Sequence, residues 1–460
     1  MFQYDMLARS LASGNGFRWY APGDLARISP YLHLNITSLN LDPRGIITTF
    51  RAPLYPGFLS LIYFFNGIND GRFFAARVAQ TILGALLAPL TYFTSLSLSS
   101  KAYSNDSSKE KTILTGSEQT SRIAAWVVAI YPTLLIYPLA LATENLFFLL
   151  VLASMLTLMK LAQFSRDTKS RSSILYSLLS GLLLGLAALT RSVILPFAAL
   201  AIFWIWLSLK QPHQAILAGL ALVTTVTPWI IRNSLVAHKP TGIESSMGYN
   251  LYLGYHPQST GTFIFGPSLD LLSILNDQTR DEIGTQKAIE FIRQDPSRFP
   301  YLAVRRLGYF FNLELRAFTY FYVNNFLGSI PTPLLILFLI ILGIPFAILS
   351  FSAAFGAALL PTRPETALLA LLLIGYLLPH VFILSEERFH LTLIPFFAIC
   401  AANLWVYGFN SLKHRGNLVV LIAVIVAMLL IINWGFELNR DRQVLSQMLG
   451  PNGNQLYLPY

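Results

Sequence analysis

The sequence predicts an all-α, polytopic membrane protein of about ten transmembrane helices with a long extracytoplasmic loop. Three observations predict it. The 460 residues are 54% hydrophobic and only 12% charged, where soluble domains carry about 25% charged residues. Mean hydropathy is +0.56. Apolar runs long enough to cross a hydrocarbon core of roughly 30 Å recur along the chain. The same composition excludes other classes. The 33 Phe, 21 Tyr and 7 Trp residues are far too many for a solvated coil. A single cysteine, Cys400, leaves no disulfide framework and no thiolate metal site.

The net charge of +10, from 32 Lys and Arg against 22 Asp and Glu, is a topology signal and not a nucleic-acid one. Lys and Arg accumulate in the cytoplasmic loops of membrane proteins, and no aromatic–basic module or basic helix suited to reading nucleic acid is present. The polar N-terminus, FQYDMLARS, lacks the basic and apolar regions of a signal peptide.

Residues 1–72 form a first extracytoplasmic loop. Within it, 53–67 (PLYPGFLSLIYFFNG) is too short to span comfortably, and its Tyr and Phe content suits a helix at the interface or one re-entering the protein. Counting it as a span gives the main competing topology. Residues 73–231 make up a transmembrane core with spans near 73–98, 123–141, 143–162, 174–190, 193–209 and 214–231. The loop 232–331 follows, then C-terminal spans near 332–352, 366–384, 389–409 and 417–436, and a tail from 437 to 460. Lys101, Lys109, Lys111, Arg122, Arg166, Lys169, Arg171, Lys210, Arg363, Lys413 and Arg415 fall on one side when the spans alternate, so that side is cytoplasmic. The arginines of 232–331 do not contradict this, because long translocated loops escape the charge rule. With ten spans, residues 1–72 must cross the membrane with nothing ahead of them to start translocation, so a further span is expected upstream.

The residues that stand out converge on the non-cytoplasmic side. Arg51 precedes Ala52 and Pro53. Glu144 and Arg191 each sit between two apolar runs, and Arg232 follows Pro228 and Trp229. Glu386, Glu387 and Arg388 open the 389–409 span. Ionic groups at a membrane boundary are costly to desolvate without partners, which makes each a candidate site residue.

Each also has a structural reading. Glu144 would complement a helix dipole with Thr143 as N-cap. Arg191 and Arg232 would snorkel, Arg51 would anchor at the interface, and Arg388 would be neutralised by its adjacent acids. His256 and His390 read as lone core histidines, and the aromatic stripe 309–326 as an interfacial or core surface. Several arginines and one or two carboxylates facing outward suit an anionic phosphate at membrane depth, since guanidinium forks match phosphate oxygens. A carboxylate beside them would act as a base toward a hydroxyl or hold a divalent cation through oxygen.

The order of motifs resembles a family. YDMLARSLASGNGF at 4–17 is similar to the first extracytoplasmic loop of GT-C-type glycosyltransferases, the enzymes related to protein O-mannosyltransferases and the lipid A aminoarabinose transferase. FRAPLYP at 50–56 resembles their basic residue before a proline-led helix, and ARVAQ at 76–80 with GAL at 84–86 resembles their next span. Thr143 and Glu144 are similar to the acidic corner, GLAALTR at 185–191 to the GLAxLTR stretch, and PWIIRN at 228–233 to the PWxxRN span end. GYNLYLG at 248–254 resembles the glycine-rich loop, and ERFHLTLIP at 387–395 the ERYRxPxxP entry.

The resemblance implies a polyprenyl-phosphate-linked sugar as donor, inverting transfer to a lipid, glycan or protein hydroxyl, and an outward-facing site in a bacterial plasma membrane. It implies juxtamembrane helices on the extracytoplasmic side, Glu144 as the second acid, and Arg51 on the donor phosphate. Arg191, Arg232 and Arg388 match motif positions and join Arg51 as candidate phosphate ligands. The resemblance fixes no cofactor, and a divalent cation is the one candidate. The family's catalytic Asp stands a few residues before the position of Tyr4, so it is expected upstream of Met1. Asp5 is then a stand-in: the full gene product is expected to be an enzyme, and on the family's scheme the chain as written lacks its usual base. A secondary transporter or lipid flippase is disfavoured, because no internal repeat is evident and the charges sit at span ends. A glycan polymerase or ligase using a lipid diphosphate donor is disfavoured by motif order alone. A non-catalytic relative that binds lipid-linked sugars stays open.

Overall fold

The computed structural model describes residues 2–32, 42–99, 107–164, 170–316 and 330–450. Lys101, Arg166, Lys169 and the 317–326 part of the aromatic stripe lie outside these residues. Among the described residues, eight helices are long and apolar enough to cross a membrane: Gly71–Leu98, Glu144–Gln163, Arg171–Thr190, Pro212–Ala237, Thr332–Ala358, Pro364–Phe382, Glu387–Tyr407 and Asn417–Arg440. The expected 123–141 span is a pair of helices, Gly116–Ile130 and Pro132–Leu139, bent by 51°. Pro132 lacks the N–H that would continue the first helix, which accounts for the break. The expected 193–209 span is a shorter apolar helix, Ser192–Leu207. The chain is an integral, multi-pass, helical membrane protein. Residues 53–67 form the 13-residue helix Leu54–Asn66, too short at about 1.5 Å per residue to cross a bilayer.

The chain divides into two compact units. The first comprises residues 1–84, 137–306 and 370–385. Its membrane part is a row in which Glu144–Gln163 packs on Arg171–Thr190, which packs on Pro212–Ala237. Lipid gives little hydrophobic drive for helices to associate, so close backbone approach matters. Gly181 and Gly185 supply it, since a Cβ at Gly181 would lie 2.0 Å from the Ala218 carbonyl oxygen and one at Gly185 2.7 Å from Thr225. Outside this row, the first helix, Phe2–Ala12, packs on Leu54–Asn66. Two short antiparallel strands pair Arg18 with Ile47 and Trp19 with Ile46. Phe17, Trp19, Tyr20, Phe50, Tyr249, Tyr252 and Leu253 form a buried cluster that joins these segments to the later loop. In that loop Met247–Tyr255 packs on Asp277–Gln294. A Cβ at Gly248 would fall 1.8 Å from the Asp281 carbonyl oxygen, which explains the glycine opening the GYNLYLG motif.

The second unit comprises residues 85–136, 307–369 and 386–460. Thr332–Ala358 packs on Ile394–Tyr407 and on Asn417–Arg440. The first contact is tight where Gly356 meets the Cys400 carbonyl. Asn417–Arg440 leaves Leu421, Ile422, Ile425, Met428, Leu429 and Ile432 exposed, an apolar face of the kind lipid covers. Glu387–Tyr407, by contrast, is almost wholly buried.

Candidate functional site

Four of the six candidate residues meet in the first unit around two backbone corners and one short strip. Glu144 lies in the first turn of Glu144–Gln163. Arg191 directly follows the C-terminus of Arg171–Thr190. Opposite charges therefore stand where each helix dipole favours them, and they pair at 2.6 Å from Arg191 Nη1 to Glu144 Oε1. Glu144 is buried and Arg191 nearly so, so the pair exceeds what dipole complementation alone requires. Thr143 forms no side-chain cap; its hydroxyl donates to Glu144 Oε2 at 3.0 Å. The corner is set by Gln80 of the ARVAQ motif. Its Oε1 accepts from Tyr55 Oη at 2.6 Å and Asn145 Nδ2 at 3.0 Å, and its Nε2 donates to the Pro138 carbonyl at 2.9 Å.

Residues 48–51 form the strip. Arg51, at one end, donates from Nε and Nη2 to Gln3 Oε1 at 2.9 and 2.6 Å and lies over the Phe50 and Tyr4 rings. Arg232 reaches the other end, donating from Nη1 to the Thr48 carbonyl at 2.6 Å and to Asn233 Oδ1 at 2.9 Å, with its head over Trp229. Both arginines are half-buried. Among the described residues neither pairs with a carboxylate; their hydrogen-bond partners are neutral oxygens.

The strip is clamped from the long loop. Asp277 Oδ2 accepts from Thr48 Oγ1 at 2.5 Å and from the Thr49 amide at 2.8 Å, while Asp277 Oδ1 pairs with the fully buried Arg280. Ser245 donates its amide to the Thr49 carbonyl at 2.9 Å and shares a hydroxyl contact with Thr49 at 2.7 Å. Beside it, Glu244 Oε1 accepts from Ser192 Oγ at 2.5 Å. A short hydrogen-bonded path thus joins Glu144, Arg191 and Ser192 to Glu244, Ser245 and the strip.

Asp5 and Arg388 sit elsewhere. Asp5 belongs to the helix that also carries Gln3, and it is bound by Arg72 at 2.8 Å, Arg9 at 2.9 Å and the Tyr63 hydroxyl at 3.1 Å. Arg9 extends the network to Asp24 at 2.8 Å. Burial alone would push the Asp5 carboxyl up, but the hydrogen bonds and charges of Arg72 and Arg9 outweigh it and hold the group below the ordinary aspartate range. A carboxyl depressed on folding stabilises fully above its unfolded value of about 3.9 and loses that contribution as pH falls through the folded value. The thermal midpoint of the detergent-solubilised chain is therefore expected to drop as pH falls below about 4, with Asp5→Asn removing this contribution; an unchanged acid dependence would refute it.

Arg388, in the second unit, pairs through Nε with Glu386 at 2.6 Å, and Glu386 also faces Arg316 at 3.7 Å.

A divalent cation at Glu144 fits poorly. Its carboxylate is engaged by Arg191, and among the described residues no three His, Cys, Asp or Glu side chains come together as a metal site. No step below is routed through a metal.

The sequence reading missed Asp277, Arg280 and Glu244, which lie in a polar loop where a charge draws no notice. It also missed Glu314, buried in the second unit, which accepts from Tyr131 Oη at 2.5 Å and from Thr133, with His390 Nε2 at 3.0 Å. One signal existed: Glu314 is a lone acid between Leu313 and Leu315 in the aromatic stripe.

No protein-family model and no curated protein matches the chain. Among solved structures it is similar to the archaeal oligosaccharyltransferase AglB from Archaeoglobus fulgidus, solved in complex with an inhibitory peptide and a dolichol-phosphate. The identity is 12% and the TM-score 0.44, over all of this chain and 55% of that one. The chain thus spans about half the length of that protein.

Proposed function

We propose that this chain is an integral-membrane glycosyltransferase that moves a sugar from a polyprenyl-phosphate carrier to a hydroxyl acceptor on the extracytoplasmic face of a bacterial plasma membrane. One observation carries the reading: Arg51 and Arg232, half-buried at the two ends of the 48–51 strip, have neutral oxygens as hydrogen-bond partners and pair with no carboxylate among the described residues. Two such guanidiniums invite an anion with several oxygens, and a phosphate monoanion or dianion is the natural match. Negative charge grows on the bridging oxygen as a sugar leaves its phosphate, so donors already fixed in place lower the barrier. The Glu144–Arg191 pair, linked to the strip through Ser192 and Glu244, orients the acceptor side. The linker charges support an outward-facing site. Asp5, neutralised by two arginines, fixes the first helix, and Arg388 is assigned no step.

The test is binding of undecaprenyl phosphate to the purified full chain in nanodiscs, followed by tryptophan fluorescence. Wild type is expected to bind saturably. Arg51→Gln is expected to weaken binding about tenfold, the size of one charge-assisted hydrogen bond, while undecaprenol binds both proteins equally weakly. Equal affinity of the two proteins for the phosphate would defeat the assignment of Arg51.

A further inference from the structure

On the glycosyl-transfer reading above, we infer that Glu244 is the residue that takes the proton from the acceptor hydroxyl. Three carboxylates stand near the 48–51 strip and the Arg191 corner, and two are committed to cations: Glu144 to Arg191 and Asp277 to Arg280. Glu244 differs. It accepts a hydroxyl from Ser192 at 2.5 Å, and among the described residues it pairs with no cation. A carboxylate bound only by a hydroxyl keeps its capacity to accept a proton, whereas one locked to a guanidinium gives that capacity up.

Its placement is also unusually constrained for a loop residue. On one side the Ile243 carbonyl accepts from Asn233 Nδ2 at 2.9 Å and from Trp229 Nε1 at 3.1 Å. On the other, Ser245 is bonded twice to Thr49. The backbone on both sides of Glu244 is thus fixed to the PWIIRN helix end and to the strip that carries Arg51. A base must be positioned before its basicity counts, and these contacts fix the backbone that carries the half-buried carboxylate to the same 48–51 strip that Arg232 binds and Arg51 ends. Ser192 follows Arg191 directly, so the hydroxyl that orients Glu244 and the cation that holds Glu144 come from consecutive residues.

The step balances without a further reagent. The acceptor O–H gives its proton to the Glu244 carboxylate as its oxygen forms a bond to the anomeric carbon. The bond from that carbon to the phosphate oxygen breaks, and its electron pair leaves on the carrier phosphate beside Arg51 and Arg232. Glu244 then returns its proton to water.

The experiment uses the full chain in nanodiscs with a panel of undecaprenyl-phosphoryl hexoses and pentoses, and a membrane lipid and glycan extract as acceptor. Released undecaprenyl phosphate measures turnover, and binding of undecaprenyl phosphate is read separately. Glu244→Gln is expected to lower turnover by about 10²–10⁴-fold while carrier affinity stays within about twofold. Glu244→Ala is expected to lose turnover equally and to recover at least tenfold with added formate, a small external carboxylate. Turnover of Glu244→Gln close to wild type, loss of its carrier binding, or a Glu244→Ala defect that formate leaves unchanged would each overturn the inference while leaving the glycosyl-transfer reading standing. A wild-type chain that releases no carrier from any donor would overturn both.

Discussion

Glu144→Gln is expected to reduce glycosyl transfer by about two to three orders of magnitude with carrier binding little changed. Glutamine keeps the shape, an acceptor oxygen for Arg191 and an amide NH2 that donates to the Thr143 hydroxyl, so the corner between Arg171–Thr190 and Ser192–Leu207 retains its geometry. What disappears is the negative charge that neutralises Arg191. Arg191 is then held by a neutral hydrogen bond alone, and the acceptor side, which on the proposed reading the ionic pair orients, loses its orientation. Glu144→Asp, which keeps the charge on a shorter arm, is expected to recover part of the loss. Turnover measured as released undecaprenyl phosphate for the three proteins checks this, and full activity in Glu144→Gln would remove the residue from the site. A loss of folding instead, read as aggregation on size exclusion, would reduce the pair to a helix-end tether.

The second large effect is on stability. Glu314→Ala is expected to destabilise the second unit by about 3 kcal/mol or more, because it leaves three buried hydrogen-bonding groups unsatisfied at about 1–3 kcal/mol each. The hydrogen bonds around it set the size of the effect. His390 Nδ1 faces the Phe310 carbonyl at 2.7 Å, and a carbonyl only accepts, so Nδ1 donates there. His390 Nε2 faces Glu314 Oε1 at 3.0 Å. The Tyr131 and Thr133 hydroxyls also donate to this carboxyl, and the imidazole ring stacks on Phe346 at 3.8 Å. Alanine strands three polar groups in a dry interior. Glu314→Gln keeps the acceptor oxygen and is expected to cost about half as much. Thermal midpoints in one detergent compare the variants, and a Glu314→Ala midpoint equal to wild type would refute the account.

The spans were legible because hydrocarbon imposes a length and a composition that few other structures share. Glu144, Arg191 and Arg232 were legible for a related reason: an ionic group flanked by Leu, Ile and Phe is expensive unless something binds it. The pairing of Glu144 with Arg191 joins residues 47 positions apart, a separation that hydropathy does not encode. Loop acids were invisible by the same logic, because Asp277 and Glu244 lie among polar neighbours and gain their meaning only from contacts with 48–51 and Ser192. His390 read as a lone histidine because its partner, Glu314, was 76 residues away in a stripe judged by its aromatics. The bend at Pro132 and the shortness of Ser192–Leu207 were features that hydropathy concealed.

The hold that Asp277, Ser245 and Arg232 have on residues 48–51 has an evolutionary corollary. Consecutive Cα atoms lie about 3.8 Å apart, so one insertion or deletion in that stretch would move Arg51 relative to the residue that Arg232 binds by up to that distance. Homologues that handle the same anion should therefore vary in what flanks this stretch and hold its residue count constant.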